Sequence, residues 1–214
     1  MKRNTIYEDA YLVDLNTGKA VAVNAAMDAE EMPATRWEEI QLKFAVETRP
    51  EDEVLLNGLI RELLSIAIVD EQLAELNYLQ SYNLEKTEGK TDFDPEFEQH
   101  ESDEREHKYE LIERLRELDA EVIFVPVDQW IYMNSRGPEW KQEFDVQSSD
   151  VILRRLEEEK QAVEFYTLAT EFVKGTADST TYTLFKKIKE DEEEHVKDLR
   201  DLARDHGFLA INED

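Results

Sequence analysis

Glu71, Glu104 and His107 recur as Glu159, Glu192 and His195, every one displaced by 88 positions. Their surroundings recur as well. Asp103-Glu104-Arg105-Glu106-His107 and Asp191-Glu192-Glu193-Glu194-His195 both read D-E-x-x-H, and the segments opening at Glu71 and Glu159 both read E-x-x-A-x-x-x-Y. In each copy the lone glutamate precedes the paired one by 33 residues. A fixed period of this kind marks one structural unit used twice. On a helix, positions i and i+3 share a face, so Glu104 with His107, and Glu192 with His195, each project two polar groups together.

The remaining pattern makes that unit a helical hairpin. Apolar residues recur at three- and four-residue steps in four stretches. The first opens at Pro50-Glu51-Asp52 and runs to about Asn83, with Leu56, Ile60, Leu63, Leu64, Ala67, Glu71, Ala74 and Tyr78 on one face. A turn over Glu85 to Thr91 includes Gly89. Asp94-Pro95 supplies a cap and a first-turn proline for the second helix, which continues to about Leu118. Its stripe is Phe97, His100, Glu104, His107, Leu111, Leu115 and Leu118. The third helix runs from Ser149 to Lys174 and stops at Gly175; the fourth runs from about Ser179 to His206 and stops at Gly207. Their faces carry Glu159 and Tyr166, and Glu192 and His195.

Residues at one height in an antiparallel hairpin are equidistant from its turn. The midpoint of Glu71 and Glu104 falls at 87–88, and that of Glu159 and Glu192 at 175–176. Both are turn positions, so each hairpin sets its two glutamates level. Between the hairpins, residues 119–148 are long enough to return along the whole bundle. The predicted fold is all-α: an antiparallel four-helix bundle of two repeated helical hairpins with one long crossover, over residues 51–214. Residues 1–50 read as a small N-terminal β appendage. Tyr11–Leu15 and Lys19–Val23 flank Asn16-Thr17-Gly18 as a hairpin would, and Ile40, Leu42, Phe44 and Val46 alternate as in a half-buried strand. The appendage carries no chemical motif and is a candidate docking segment for a protein partner.

Four glutamates on faces predicted to be buried require compensation, because an ionised carboxylate without a partner is very unfavourable in a core. The predicted stripes offer no lysine or arginine. Two divalent cations would cancel four negative charges, and His107 and His195 would complete the ligand set. Carboxylate oxygen with imidazole nitrogen suits iron or manganese, with zinc an alternative. The expected metal residues are therefore Glu71, Glu104, His107, Glu159, Glu192 and His195. Asp103 and Asp191 are placed to orient a histidine through its second ring nitrogen. Tyr78 and Tyr166, seven residues beyond a ligand, share its face and are placed to hydrogen-bond to the site. Glu75, Glu106, Glu164, Glu193 and Glu194 read as surface charge, although the angle of Glu75 also suits a ligand. His100, one turn before Glu104, shares the face and is not assigned to metal.

Composition narrows the partners. A formal charge of -27 argues against intrinsic affinity for nucleic acid or anionic membranes and favours cations. With no cysteine there is no disulfide or thiolate metal site. No run of eighteen apolar residues appears, so no membrane-spanning helix is expected. The opening Met1-Lys2-Arg3-Asn4-Thr5 lacks the apolar segment of a signal peptide, and a cytoplasmic location is expected.

The doubled E then E-x-x-H pattern resembles the ferritin-like dimetal-carboxylate superfamily. E-x-x-A-x-x-x-Y with D-E-x-x-H is similar to bacterioferritins and rubrerythrins in particular, over roughly residues 55–206. The resemblance implies Glu104 and Glu192 as bridging ligands, with Glu71 and His107 terminal on one metal and Glu159 and His195 on the other. It implies two iron ions, oxidation of Fe(II) by O2 or H2O2, and a homo-oligomer, with iron detoxification or storage where the oligomer is a cage. Departures matter. Rubrerythrins usually add a cysteine-ligated module, which this chain lacks. Bacterioferritins place a haem-ligating methionine after the first paired glutamate; Arg105 stands there, so no haem is expected. A rubrerythrin-like peroxidase or oxidase using an external electron donor is the second reading, and a non-enzymatic acidic scaffold or targeting protein the third.

Overall fold

The computed structural model describes residues 11–13, 20–22, 36–87, 94–120 and 148–209. The chain divides into two compact units, Met1–Gln41 and Leu42–Asp214. In the first, β1 (Tyr11–Val13) and β2 (Ala20–Ala22) pair antiparallel, with Leu12 opposite Val21. The Asn16-Thr17-Gly18 turn lies outside the described residues. At the boundary between the units, α1 covers Arg36–Lys43.

The strand expected over Ile40 to Val46 does not form. The backbone is helical to Lys43 and makes a 3₁₀ turn at Val46–Thr48. A strand would have turned Leu42, Phe44 and Val46 to one face. Instead Phe44 is 1% exposed while Leu42 and Val46 are 54% and 47% exposed. Trp37, Ile40 and Phe44 also fit helical steps, and four apolar positions are too few to separate the two periods. Phe44 packs edge-on against Phe172 at 5.5 Å, and Arg49 donates to the carbonyls of Glu171 and Lys174. Residues 42–50, read from sequence as appendage, thus pack with the helical unit.

That unit is a bundle of α2 (Glu53–Thr87), α3 (Asp94–Glu117), α4 (Ser148–Val173) and α5 (Ser179–Asp205). Helix α2 continues past Asn83 into the turn expected from sequence; residues 88–93 lie outside the described residues. Asp52 accepts from the Leu55 amide at 2.9 Å, opening α2. Asp178 accepts from the Thr181 amide at 2.9 Å, opening α5, and Arg114 of α3 binds Asp178 and Thr181 across the hairpins. Gly175 closes the second hairpin at φ +78°, a conformation costly for residues with a Cβ.

Contacts fix the helix directions. Tyr78 meets Glu159 while Glu71 meets Tyr166, so α2 and α4 are antiparallel. His107 meets Asp191 while His195 meets Asp103, so α3 and α5 are antiparallel too. With each hairpin also antiparallel, α3 and α4 point the same way. The crossover expected between α3 and α4 lies, over residues 121–147, outside the described residues.

The core is layered. At one end Tyr78, Phe97, Ile152, Leu156, Leu199 and Ala203 cluster. Toward the other end of the helices Ile60, Leu63, Leu64, Leu111, Leu115 and Phe172 are buried. The polar repeat residues lie between these apolar layers. No helix among the described residues is long and apolar enough to cross a membrane.

Candidate metal centre

Each helix brings its glutamate inward because the apolar stripe that buries the helix includes it. Glu71 of α2, Glu104 and His107 of α3, Glu159 of α4, and Glu192 and His195 of α5 are all at most 4% exposed. Donor atoms of Glu71, Glu104, His107 and Glu192 lie within 4.8 Å of one another, as do those of Glu104, Glu159, Glu192 and His195. The two groups share Glu104 and Glu192. His107 Nδ1 lies 3.3 Å from oxygens of Glu71 and Glu192 and 3.7 Å from Glu104. His195 Nδ1 lies 3.2 Å from Glu104, 3.3 Å from Glu192 and 3.7 Å from Glu159.

The other ring nitrogens face outward, and here the halves exchange partners. His107 Nε2 is 3.2 Å from Asp191, and His195 Nε2 is 3.5 Å from Asp103. The tyrosines cross over too: Tyr78 donates to Glu159, and Tyr166 to Glu71. A helical side chain leans toward its own N-terminus, so each ring descends to the level of the site and covers the facing helix's carboxylate. Spacing within one helix carries no signal of this exchange.

Glu75, with its suitable angle, is ion-paired to Lys108 in a part-buried contact. Glu106, Glu164, Glu193 and Glu194 are exposed, and Arg105 is exposed and pairs with Glu101. Contrary to the sequence reading, there is a buried base: Arg155, one turn before Glu159, is 6% exposed. It stands three residues after Ile152 and four before Glu159, so it shares the buried face that the apolar stripe defines. Its Nη1 lies 2.7 Å from Glu158, so its close ion pair is with a carboxylate outside the cluster of four.

The residues fit a pair of cations. Glu71 Oε2, Glu104 Oε1, both Glu192 oxygens, and Nδ1 of His107 and His195 are buried with no hydrogen-bond partner. Six orphaned donor atoms around one point are costly unless something binds them. A dication with ligands at about 2.1 Å sets neighbouring donors about 3.0–3.4 Å apart, close to the 3.2–3.7 Å between each Nδ1 and the carboxylates around it.

Electrostatics agree. Burial, reinforced by Glu192, Glu159 and Glu71, pushes the Glu104 carboxyl well above its usual range. Burial and Glu192 raise Glu159. Burial alone would lower His107 and His195, but the carboxylates around them hold both far above the ordinary imidazole range. Glu192, between two imidazoles, is lowered despite its burial. Without cations, protons must balance this cluster.

A family model for the ferritin-like domain matches residues 60–206. The chain belongs to the ferritin-like family. Among solved structures, this ferritin-like chain is similar to a dodecameric thioferritin, the bacterioferritin-related protein of Bacteroides fragilis. The TM-score is 0.60 at 23% identity, over 78% of this chain and 94% of that one. Mycobacterium tuberculosis bacterioferritin BfrA matches at TM-score 0.57 and 20% identity, over 69% and 87%. Rhodobacter capsulatus bacterioferritin, described with a metal-free dinuclear site and heme iron, matches at 0.56 and 19%, over 73% and 98%. At these identities the likeness concerns the ferritin-like fold. A comparison with curated proteins finds no match.

Proposed function

We propose that this chain is a ferroxidase-type oxidoreductase whose substrate is Fe(II). Glu71 and His107 would hold one ion, Glu159 and His195 the other, with Glu104 and Glu192 touching both. Two Fe(II) give two electrons: O2 with two protons becomes H2O2, or H2O2 with two protons becomes two waters. The ions supply the redox chemistry. The protein supplies placement, carboxylate charge that favours Fe(III), and apolar layers that exclude water.

One observation supports this reading above the rest: two overlapping buried donor sets share two glutamates. Manganese and zinc are the alternative occupants. The likeness to a dodecameric relative supports a homo-oligomer, and the strongly acidic chain suits a protein that gathers cations.

The test is an anaerobic Fe(II) titration of the full chain, then oxygen, with particle size measured throughout. Two equivalents should bind per chain and oxidise on aeration, and Glu104→Ala should abolish both. Turnover well beyond two equivalents within a large particle supports storage. Oxidation that stops at two supports a fixed centre fed by an external donor. Absence of iron binding would leave the acidic scaffold as the surviving reading.

A further inference from the structure

Along the buried stripe of α3 beside the candidate centre, the repeat is broken at one position. Phe97 corresponds to Phe185, Asp103 to Asp191 and Leu111 to Leu199, but His100 corresponds to Ile188. The neighbouring aromatic pairs match closely: Tyr78 meets Phe97 at 6.0 Å and 48°, and Tyr166 meets Phe185 at 5.9 Å and 53°. Ile188 is buried and apolar, as a bundle core demands. His100, only 2% exposed, needs another explanation.

Its contacts run to one side of the centre. The ring stacks on His195 with centroids 4.1 Å apart and planes at 26°. Nδ1 lies 3.1 Å from the Tyr78 hydroxyl, against whose ring the imidazole stands edge-on. The Tyr78 proton is committed to Glu159. The Tyr78 oxygen is thus an acceptor, and the proton in the His100–Tyr78 bond belongs to Nδ1, which fixes the tautomer. His100 also lines a cavity of about 420 Å³ between α3 and α5, together with Asp103, His107, Asp191 and His195. The Glu71–His107 side has its tyrosine but an isoleucine in place of the imidazole.

We propose that His100 is a positioning residue that makes the two metal positions inequivalent. It holds Glu159 through Tyr78 and His195 by stacking, so the Glu159–His195 position fills ahead of Glu71–His107. A ligand already held in place loses less freedom on binding, and residues that orient metal ligands are typically worth about 10- to 100-fold in affinity. This inference rests on the two-metal reading above.

The test is anaerobic calorimetric titration of the full-length protein with Co(II), followed also by its visible absorption. The wild type should show two steps. His100→Ile, which gives both halves the same residue, should weaken the tighter step about tenfold and leave the weaker within about twofold. His100→Phe keeps a stacking ring and loses only the Tyr78 bond; its smaller loss should fall on the same step, and it serves if the isoleucine variant does not fold. Joining Glu159→Ala to His100→Phe, which lacks only the Tyr78 bond, should add nothing to Glu159→Ala alone. The inference is overturned by equal wild-type steps, by equal weakening of both steps, by loss confined to the weaker one, or by no change. Wild type that binds no metal would instead overturn the proposed function.

Discussion

Tyr166 donates its phenolic proton to Glu71, 95 positions earlier in the chain and on a different helix. Tyr78 does the same for Glu159, so each half of the repeat positions a carboxylate belonging to the other. Both hydroxyls are buried, and burial followed by the nearby glutamates raises both phenols above their ordinary value. They therefore act as donors. Tyr166→Phe should weaken one metal-binding step by about tenfold with little change in fold, measured by calorimetric titration. An unchanged isotherm would make the tyrosines packing alone.

Asp191 should matter chiefly through His107, its partner at 3.2 Å. Asp191→Asn retains the shape but removes the charge that favours an Nε2 proton and an Nδ1 lone pair facing the site. Affinity on the Glu71–His107 side should fall about 10- to 100-fold. Circular dichroism and melting temperature should barely move, since Asp191 is part-exposed.

Glu104→Gln separates stability from binding. The raised Glu104 pKa means the folded chain resists its ionisation. A raised carboxyl pKa leaves stability intact below the unfolded value and erodes it as pH rises toward the folded one. At neutral pH the neutral amide should therefore raise the melting temperature of the metal-free protein. The same change should remove the additional stabilisation that Fe(II) or Mn(II) gives the wild type. A lower melting temperature in both states would contradict the electrostatic account.

His100 should make the metal-free fold acid-sensitive. Burial, then the neighbouring His195, holds its pKa at about 4 against an ordinary 6.5, with Glu159 and Asp103 opposing. The unfolded chain takes up this proton first. Stability is thus complete above 6.5, declines as pH falls toward 4, and changes no further below it. The integrated loss is roughly 3 kcal/mol. His100→Phe should flatten that part of the profile, read by chemical denaturation across the range.

Much of this protein was legible in the chain itself. The 88-residue period and the helical steps determined two hairpins, and the equidistance of Glu71 and Glu104, and of Glu159 and Glu192, from their turns set the carboxylates level. Those are properties of one helix or one hairpin, where 3.6-residue geometry converts spacing directly into position. Tertiary structure alone decided what crosses between hairpins. It gave Asp191 to His107, Tyr166 to Glu71 and His100 to His195, because those contacts depend on how two rods pack and lean, which spacing within a rod does not encode. It also decided against the strand at Ile40–Val46, where Trp37, Ile40 and Phe44 offered a helical spacing beside the alternating one, and the backbone is helical to Lys43 with Phe44 buried.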